Sequence, residues 1–324
     1  MDSELVGVVG VGLLGRGIAA CLLAHGFRVV VYDTGGAAVY KQAESYVEEG
    51  IPELIAKAGF PESLASNWRE RLTQAASFES FAGCGFAIES VFEDLGVKQQ
   101  VYEGLEAVLT PDAPIASNSS AIPITVLQSG RRNPARFVGM HWAAPAYVTR
   151  FLEVIRGAFT SDQAVEAATR LGSRCGKEPC VVRKDVPGFI VNRLAYAMYR
   201  EAAHLVETGV ADVETVDRAF RDGCGLWASL CGPFRWMDIT GGPALYATAM
   251  RGVLPTLSNT GNLPEILQDM LRQRAKGIVD GRGFYRYGAA DAARWQAILQ
   301  KQAWAIRKLQ EEMDAFLQAP GEGG

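Results

Sequence analysis

Histidine is scarce in this sequence, three in 324 residues (His25, His141, His204), and none of the six cysteines (Cys21, Cys84, Cys175, Cys180, Cys224, Cys231) forms a C-x2-C pair. Zinc modules need clustered thiolates and imidazoles, so no metal is expected. Irregular cysteine spacing in so long a chain also argues against a disulfide framework and for reduced thiols in a cytoplasmic protein. No apolar run reaches the roughly eighteen residues of a membrane helix, so no membrane partner is expected. The opening Met1-Asp2-Ser3-Glu4-Leu5 carries no basic stretch, and no secretory signal is expected either. Lys and Arg are scattered and the formal net charge is −4. Chains that grip phosphate backbones show a basic stripe; its absence points away from nucleic acid.

What is present is an ordinary globular composition, 48% hydrophobic and 21% charged, over a length that predicts two domains. Val6-Gly7-Val8-Val9 is a short apolar run ending in Gly10-Val11-Gly12-Leu13-Leu14-Gly15. The helix-forming Ile18-Ala19-Ala20-Cys21-Leu22-Leu23-Ala24 follows, closed by Gly26, and then the β-branched run Phe27 to Asp33. Strand, glycine turn, helix and strand within about thirty residues give the G-x-G-x-x-G its meaning, which in isolation would be weak. Gly10 permits the tight turn, Gly12 lets a pyrophosphate approach the backbone, and Gly15 lets helix and sheet pack closely. The free N–H groups of the helix start, with Leu13 and Leu14 in its first turn, face the phosphates. Asp33 would accept from the adenosine ribose hydroxyls. Thr34-Gly35-Gly36 offers no arginine for a 2′-phosphate, so the expected cofactor is NAD.

Further strands are predicted at 86–90, 114–117, 136–140 and 180–183, separated mostly by helices near 36–58, 62–74, 96–109 and 161–174. The fold class is therefore α/β, a doubly wound Rossmann-type sheet, followed by an all-helical part. Domain boundaries are expected at 1–184 for nucleotide binding and 185–318 for substrate binding and dimerisation, with a disordered tail at 319–324. Asp212 should cap a helix, and Asp291 to Leu317 should form a long amphipathic one. Trp227, Trp236 and Tyr246 are expected in the core or at a subunit interface, and His204 as a packed or surface residue.

Doubly wound sheets place ligands beyond the carboxyl ends of their strands. Ser117-Asn118-Ser119-Ser120 follows one such strand and His141 another. Glu153 interrupts the apolar strand Phe151-Leu152-Glu153-Val154-Ile155, and a buried carboxylate needs a partner. Hydrogen-bonded to Glu153, His141 would be oriented as a general base. Asn192 stands where a helix begins after the last strand.

Ser120 precedes His141 by 21 residues and Glu153 follows it by 12. With Asp185-Val186-Pro187-Gly188-Phe189-Ile190-Val191-Asn192-Arg193-Leu194 and Gly283-Phe284-Tyr285-Arg286-Tyr287, this order resembles the 3-hydroxyacyl-CoA dehydrogenases from Gly7 to Tyr287. The stretches 122–125, 138–142, 200–203, 222–225 and 232–233 are more similar to the branches that hold λ-crystallin/L-gulonate 3-dehydrogenase, L-carnitine dehydrogenase and pyridine-carboxylate 5-dehydrogenase. The resemblance implies that His141 takes the hydroxyl proton, Glu153 positions it, and Ser120 and Asn192 hold the reacting oxygen. It also implies that Glu93 and Lys98 line the nicotinamide ribose, that Ser117 and Asn118 lie in the cofactor site, and that the protein is a homodimer.

Two departures bear on the substrate. The family's Asn-Pro after the histidine is replaced here by His141-Trp142-Ala143-Ala144-Pro145. The segment between Asp33 and Glu89 is acidic at 48–53, followed only by Lys57, Arg69 and Arg71, a thin match for a CoA 3′-phosphate. The expected substrate is a small free 3-hydroxy carboxylate, with Arg150 as a possible carboxylate partner. The alternatives are an L-3-hydroxyacyl-CoA of fatty-acid metabolism, or a non-catalytic NADH-binding or crystallin-like role. The β-hydroxyacid dehydrogenases carry a lysine four residues before their asparagine, whereas Gly188 stands there in this chain.

Overall fold

The structure, a computed structural model, describes residues 4–318, so the expected disordered tail lies outside the described residues. The chain divides into two compact units, Met1–Arg193 and Leu194–Gly324.

The first unit runs β1 (Leu5–Val9), α1 (Leu13–Ala24), β2 (Arg28–Tyr32), α2 (Gly36–Ala58), α3 (Leu64–Asn67), β3 (Leu72–Gln74) and β4 (Phe86–Glu89). It continues through α4 (Leu95–Val108), β5 (Ile115–Ser117), α5 (Ile124–Gln128), β6 (Phe137–Trp142), β7 (Phe151–Ile155), α6 (Asp162–Arg174) and β8 (Glu178–Val182). Helix α7 (Val191–Glu207) begins in this unit and ends in the other. All eight strands join one sheet in the order β3-β2-β1-β4-β5-β6-β7-β8, parallel except where β7 meets β6 antiparallel. This is the doubly wound sheet that the sequence implies. Val29, Val30 and Val31 of β2 are all buried, as expected of a strand covered on both faces.

Helix α1 packs closely because glycine leaves it room: a Cβ on Gly15 would sit 1.8 Å from the Gly10 carbonyl oxygen. Asp94 caps α4 by accepting from the Val97 N–H at 2.9 Å, and Ser161 caps α6 through Ala164. The helix expected at 62–74 is a correction. Only Leu64–Asn67 is α-helical, a tight turn spans Arg69–Arg71, and Leu72–Gln74 is the edge strand β3, paired parallel to Val29–Val31. Three residues are too few to show a period, and the neighbouring strand decides their conformation.

The second unit holds the rest of α7, then α8 (Val213–Ala219), α9 (Gly225–Ala228), α10 (Pro233–Ile239), α11 (Pro243–Val253), α12 (Glu265–Arg272) and α13 (Asp291–Gln318). Asp212 caps α8 through the Thr215 N–H at 2.8 Å, and α13 is the long terminal helix expected from the sequence. Only Ala203 and Trp304 are buried among its described residues, whereas Leu226, Phe234, Leu245 and Phe316 are largely exposed. Trp227 and Trp236 stack at 5.6 Å between centroids and, like Tyr246, are half-buried. No helix among the described residues is long and apolar enough to cross a membrane.

Candidate active site

The order of the sheet reverses between β1, which feeds β2 on one side, and β4 on the other. A cleft opens at that switch point, lined by Gly10, Val11, Gly12, Leu13, Asp33, Ser90 and Val91 among others, with a volume of about 750 Å³. Gly10 adopts φ +88°, and a Cβ there would meet the Ser90 carbonyl at 2.6 Å. A Cβ on Gly12 would meet nothing within 4 Å, so the cleft wall is bare backbone where phosphates would approach. Leu13 and Leu14 form the first turn of α1. Asp33 directly follows β2 and braces the turn: Oδ2 accepts from the Val11 N–H at 2.9 Å and Oδ1 from the Gly35 N–H at 2.8 Å. A turn shaped for a pyrophosphate beside a carboxylate at the ribose position fits a dinucleotide.

At the same carboxyl edge, His141 and Glu153 face one another directly across the antiparallel β6–β7 pair. His141 Nδ1 lies 2.8 Å from Glu153 Oε2. Residues opposite in register share a sheet face, and alternation sends Met140 and Trp142 to the other, where both are buried. Glu153 Oε1 accepts from the Ile190 and Val191 N–H groups at 2.9 and 3.0 Å, at the start of α7. Burial opposes the Glu153 charge, but the bonds from His141, Val191 and Ile190 outweigh it and hold its carboxyl below the ordinary value. The imidazole is flanked by Phe151 and Phe189, each 5.8 Å away between centroids. Asn192 Nδ2 donates to the Ser120 carbonyl at 3.0 Å, which brings the fourth candidate residue into the group.

The other polar candidates are committed to protein partners. Ser117 Oγ donates to Glu89 at 2.7 Å; Asn118 donates to Ser90 Oγ and accepts from the Trp142 N–H. Lys98, fully buried, lies 2.7 Å from Glu89 and 3.2 Å from Glu93. Glu89 is the residue sequence reasoning missed: no solvent reaches it, and it gathers Lys98, Tyr102, Ser117 and the Val91 N–H. The signal was there, since Glu89 ends an apolar strand as a lone charge and Lys98 follows nine residues on. Arg150 forms an ion pair with Glu178. Away from the cleft, at the carboxyl ends of α1 and α6, Cys21, His25 and Cys175 each bring a ligand atom within 4.8 Å of the others. Sequence spacing hid that grouping; three donors fall one short of a closed zinc site.

Fold and site together define a dinucleotide-dependent oxidoreductase. The 3-hydroxyacyl-CoA dehydrogenase NAD-binding domain model matches residues 5–186, and the C-terminal domain model of the same family matches 188–287. The chain is 33% identical over 307 residues to 5-formyl-3-hydroxy-2-methylpyridine 4-carboxylate 5-dehydrogenase of Mesorhizobium japonicum, covering 94% of this chain and 98% of that one. It is 34% identical to L-carnitine dehydrogenase of Pseudomonas aeruginosa, covering 87% and 88%. A crystal structure of 5-formyl-3-hydroxy-2-methylpyridine 4-carboxylic acid 5-dehydrogenase, an NAD+-dependent dismutase, superposes with a TM-score of 0.89 at 32% identity, covering 95% of this chain and 99% of that one. The chain belongs to the 3-hydroxyacyl-CoA dehydrogenase family and is an NAD-dependent dehydrogenase acting on CH–OH groups.

Proposed function

We propose that the protein interconverts a small free 3-hydroxy carboxylate and its ketone, with His141 as the general base. The observation that carries this is the 2.8 Å contact between His141 and the buried Glu153, at the sheet edge where the dinucleotide cleft opens. NAD, when bound, supplies the hydride acceptor. Gly10, Gly12, Leu13, Leu14 and Gly15 cradle its pyrophosphate, and Asp33 meets the adenosine ribose. Ser117, Asn118, Glu93 and Lys98 form the polar floor at the nicotinamide end. His141 takes the hydroxyl proton through Nε2, because Nδ1–H donates to Glu153, whose charge offsets the imidazolium that forms. Ser120 and Asn192 hold the reacting oxygen.

The charges near a would-be CoA site support a small substrate. Lys57 pairs with Glu53, Arg69 with Glu48, and Arg71 donates to the Leu23 carbonyl and Asn67. All three cations are engaged within the protein. Relatives named for a pyridine carboxylate and for L-carnitine favour the same reading. The second unit, with two buried side chains among its described residues, needs cover for its apolar surface, and a second copy of the chain supplies it as a homodimer. Six unpaired cysteines suit a cytoplasmic protein.

The test is NADH formation at alkaline pH against two panels. One holds 3-hydroxyacyl-CoAs; the other holds L-carnitine, L-gulonate, 3-hydroxybutyrate and hydroxymethyl-pyridine carboxylates. Turnover of a free acid supports the proposal. Turnover of thioesters alone replaces it with the CoA reading, and turnover of neither, by a chain that binds NADH, favours a non-catalytic role.

A further inference from the structure

Helices α1 and α6 meet at their carboxyl ends, and the residues that close them carry metal-binding side chains. His25 closes α1 and Cys175 closes α6, while Cys21 lies one turn before His25. Residues four apart share a helix face, so Cys21 and His25 point to the same side of α1. The Cys21 thiol donates to the Cys175 carbonyl at 3.5 Å and lies 3.9 Å from His25 Nδ1. One ligand atom from each of the three residues lies within 4.8 Å of the others. Cys21 and Cys175 stand 154 positions apart, so only the folded chain brings them together.

The donors are sulfur and nitrogen alone, the set that thiophilic metals select. Both sulfurs are out of solvent, with Cys21 0% and Cys175 1% exposed. The imidazole lies edge-on to Phe60, 4.9 Å between centroids, and against Gly176, where an added Cβ would come within 3.2 Å of Nε2. Two helix carboxyl ends converge here, and the partial negative charge of their last carbonyls favours a cation. Lys177, two residues beyond Cys175, turns its ammonium to the Ala146 and Thr149 carbonyls. Tetrahedral zinc holds sulfur at about 2.3 Å and imidazole nitrogen at about 2.0 Å, which sets neighbouring donors roughly 3.5 to 3.8 Å apart. The largest closure needed from 4.8 Å is therefore roughly 1.3 Å.

We propose that Cys21, His25 and Cys175 bind a zinc ion, with two thiolates and the His25 Nδ1 as ligands and a water in the fourth position. Binding releases the two thiol protons to solvent. It also frees Nδ1 from its 2.8 Å bond to the Cys21 carbonyl, and the imidazole proton moves to Nε2. Cys21 stands eight residues past Leu13, about 12 Å along α1 from the turn that faces the dinucleotide. The metal is thus a tie between α1 and α6 and takes no part in hydride transfer, so the proposal is independent of the substrate reading.

The full-length chain, reduced and stripped of metal with a chelator, provides the test. Titration with Co2+ should saturate at one equivalent, with the visible bands of tetrahedral cobalt and a near-ultraviolet thiolate charge-transfer band. Added Zn2+ should bleach both. The melting temperature should rise with Zn2+ concentration, because a ligand of the folded state stabilises it by mass action. Cys21→Ser, Cys175→Ser and His25→Ala should each weaken Zn2+ binding, measured by competition with a chelating dye. The loss should exceed the roughly 10- to 100-fold that follows removal of a ligand's outer hydrogen-bond partner. Cys180→Ser, which removes an exposed thiol, should bind as the wild type does. Should the buried-cysteine variants not fold, X-ray absorption of the zinc-loaded wild type decides, and two sulfur neighbours are expected. Octahedral cobalt without a charge-transfer band would overturn the proposal, as would unchanged affinity in Cys21→Ser or a zinc shell without sulfur. A chain that takes up no metal but closes a Cys21–Cys175 disulfide in air would overturn it in favour of a redox pair.

Discussion

Glu153 serves two parts of the molecule with its two oxygens: Oε2 takes His141 Nδ1 at 2.8 Å, while Oε1 takes the N–H groups that open α7. One buried carboxylate therefore orients the imidazole and fastens the first turn of the helix that carries Asn192. The first unit ends in that turn, at Arg193.

Replacing His141 by Gln should remove turnover while sparing the cofactor. General-base catalysis contributes about 10²- to 10⁴-fold, so kcat should fall by that range. NADH titration should give a Kd like that of the wild type, because the substitution leaves the Gly10–Gly12 turn and Asp33, which line the dinucleotide cleft, untouched. Substantial remaining activity would reject His141 as the base.

Glu153 also predicts a pH dependence of stability. Its carboxyl is held below the ordinary value in the folded chain, so its contribution is complete above the unfolded value, near 4.3, and is lost as pH falls through the folded value. Thermal melting between pH 7 and 3 should therefore show a smaller acid-induced drop in Glu153→Gln than in the wild type. Parallel curves would show that Glu153 is not a source of acid lability.

Asp33→Ala should weaken NADH binding twice over, by removing the ribose acceptor and by releasing the Val11 and Gly35 amides. Hydrogen bonds to a charged group contribute about 1.5–3 kcal/mol, so the Kd should rise at least about tenfold. An unchanged Kd would remove Asp33 from the site.

Gly15→Ala places a methyl group 1.8 Å from the Gly10 carbonyl oxygen. Neither backbone can yield without moving α1, and overpacking of this kind costs about 1–3 kcal/mol. The variant should melt at a lower temperature and bind NADH weakly; a wild-type melting temperature would mean that the close helix–sheet approach is absent.

Phe234 is 80% exposed on α10, in a unit whose described residues include two buried side chains, Ala203 and Trp304. If a second copy covers this surface, light scattering should give a dimer for the wild type. Phe234→Glu should shift it towards monomer if that residue lies in the interface. A wild-type monomer would leave the exposed apolar surface in need of another occupant.

Much of this was legible in the residues. The turn that holds Gly10, Gly12, Gly15 and Asp33 was legible from its strand–glycine–helix–strand context, because a β-α-β unit is built from neighbours in the chain. Glu153 was legible as a charge in an apolar strand, and the antiparallel register that sets it opposite His141 gives it a partner. Edge strand β3 was not legible, since three residues carry no period and take their conformation from β2.

Local patterning thus determined the order of elements, the dinucleotide turn and the residue types that could do chemistry, because each depends on side chains a few positions apart. Tertiary structure decided how the polar candidates are spent. Glu93 and Ser120 stand 27 residues apart, and Glu89 and Ser117 stand 28 apart, yet each pair meets because β4 and β5 are neighbours in the sheet. Whether a carboxylate faces solvent, a ribose or three backbone amides depends on which loop ends beside it, and that is a property of strand order rather than of the residue.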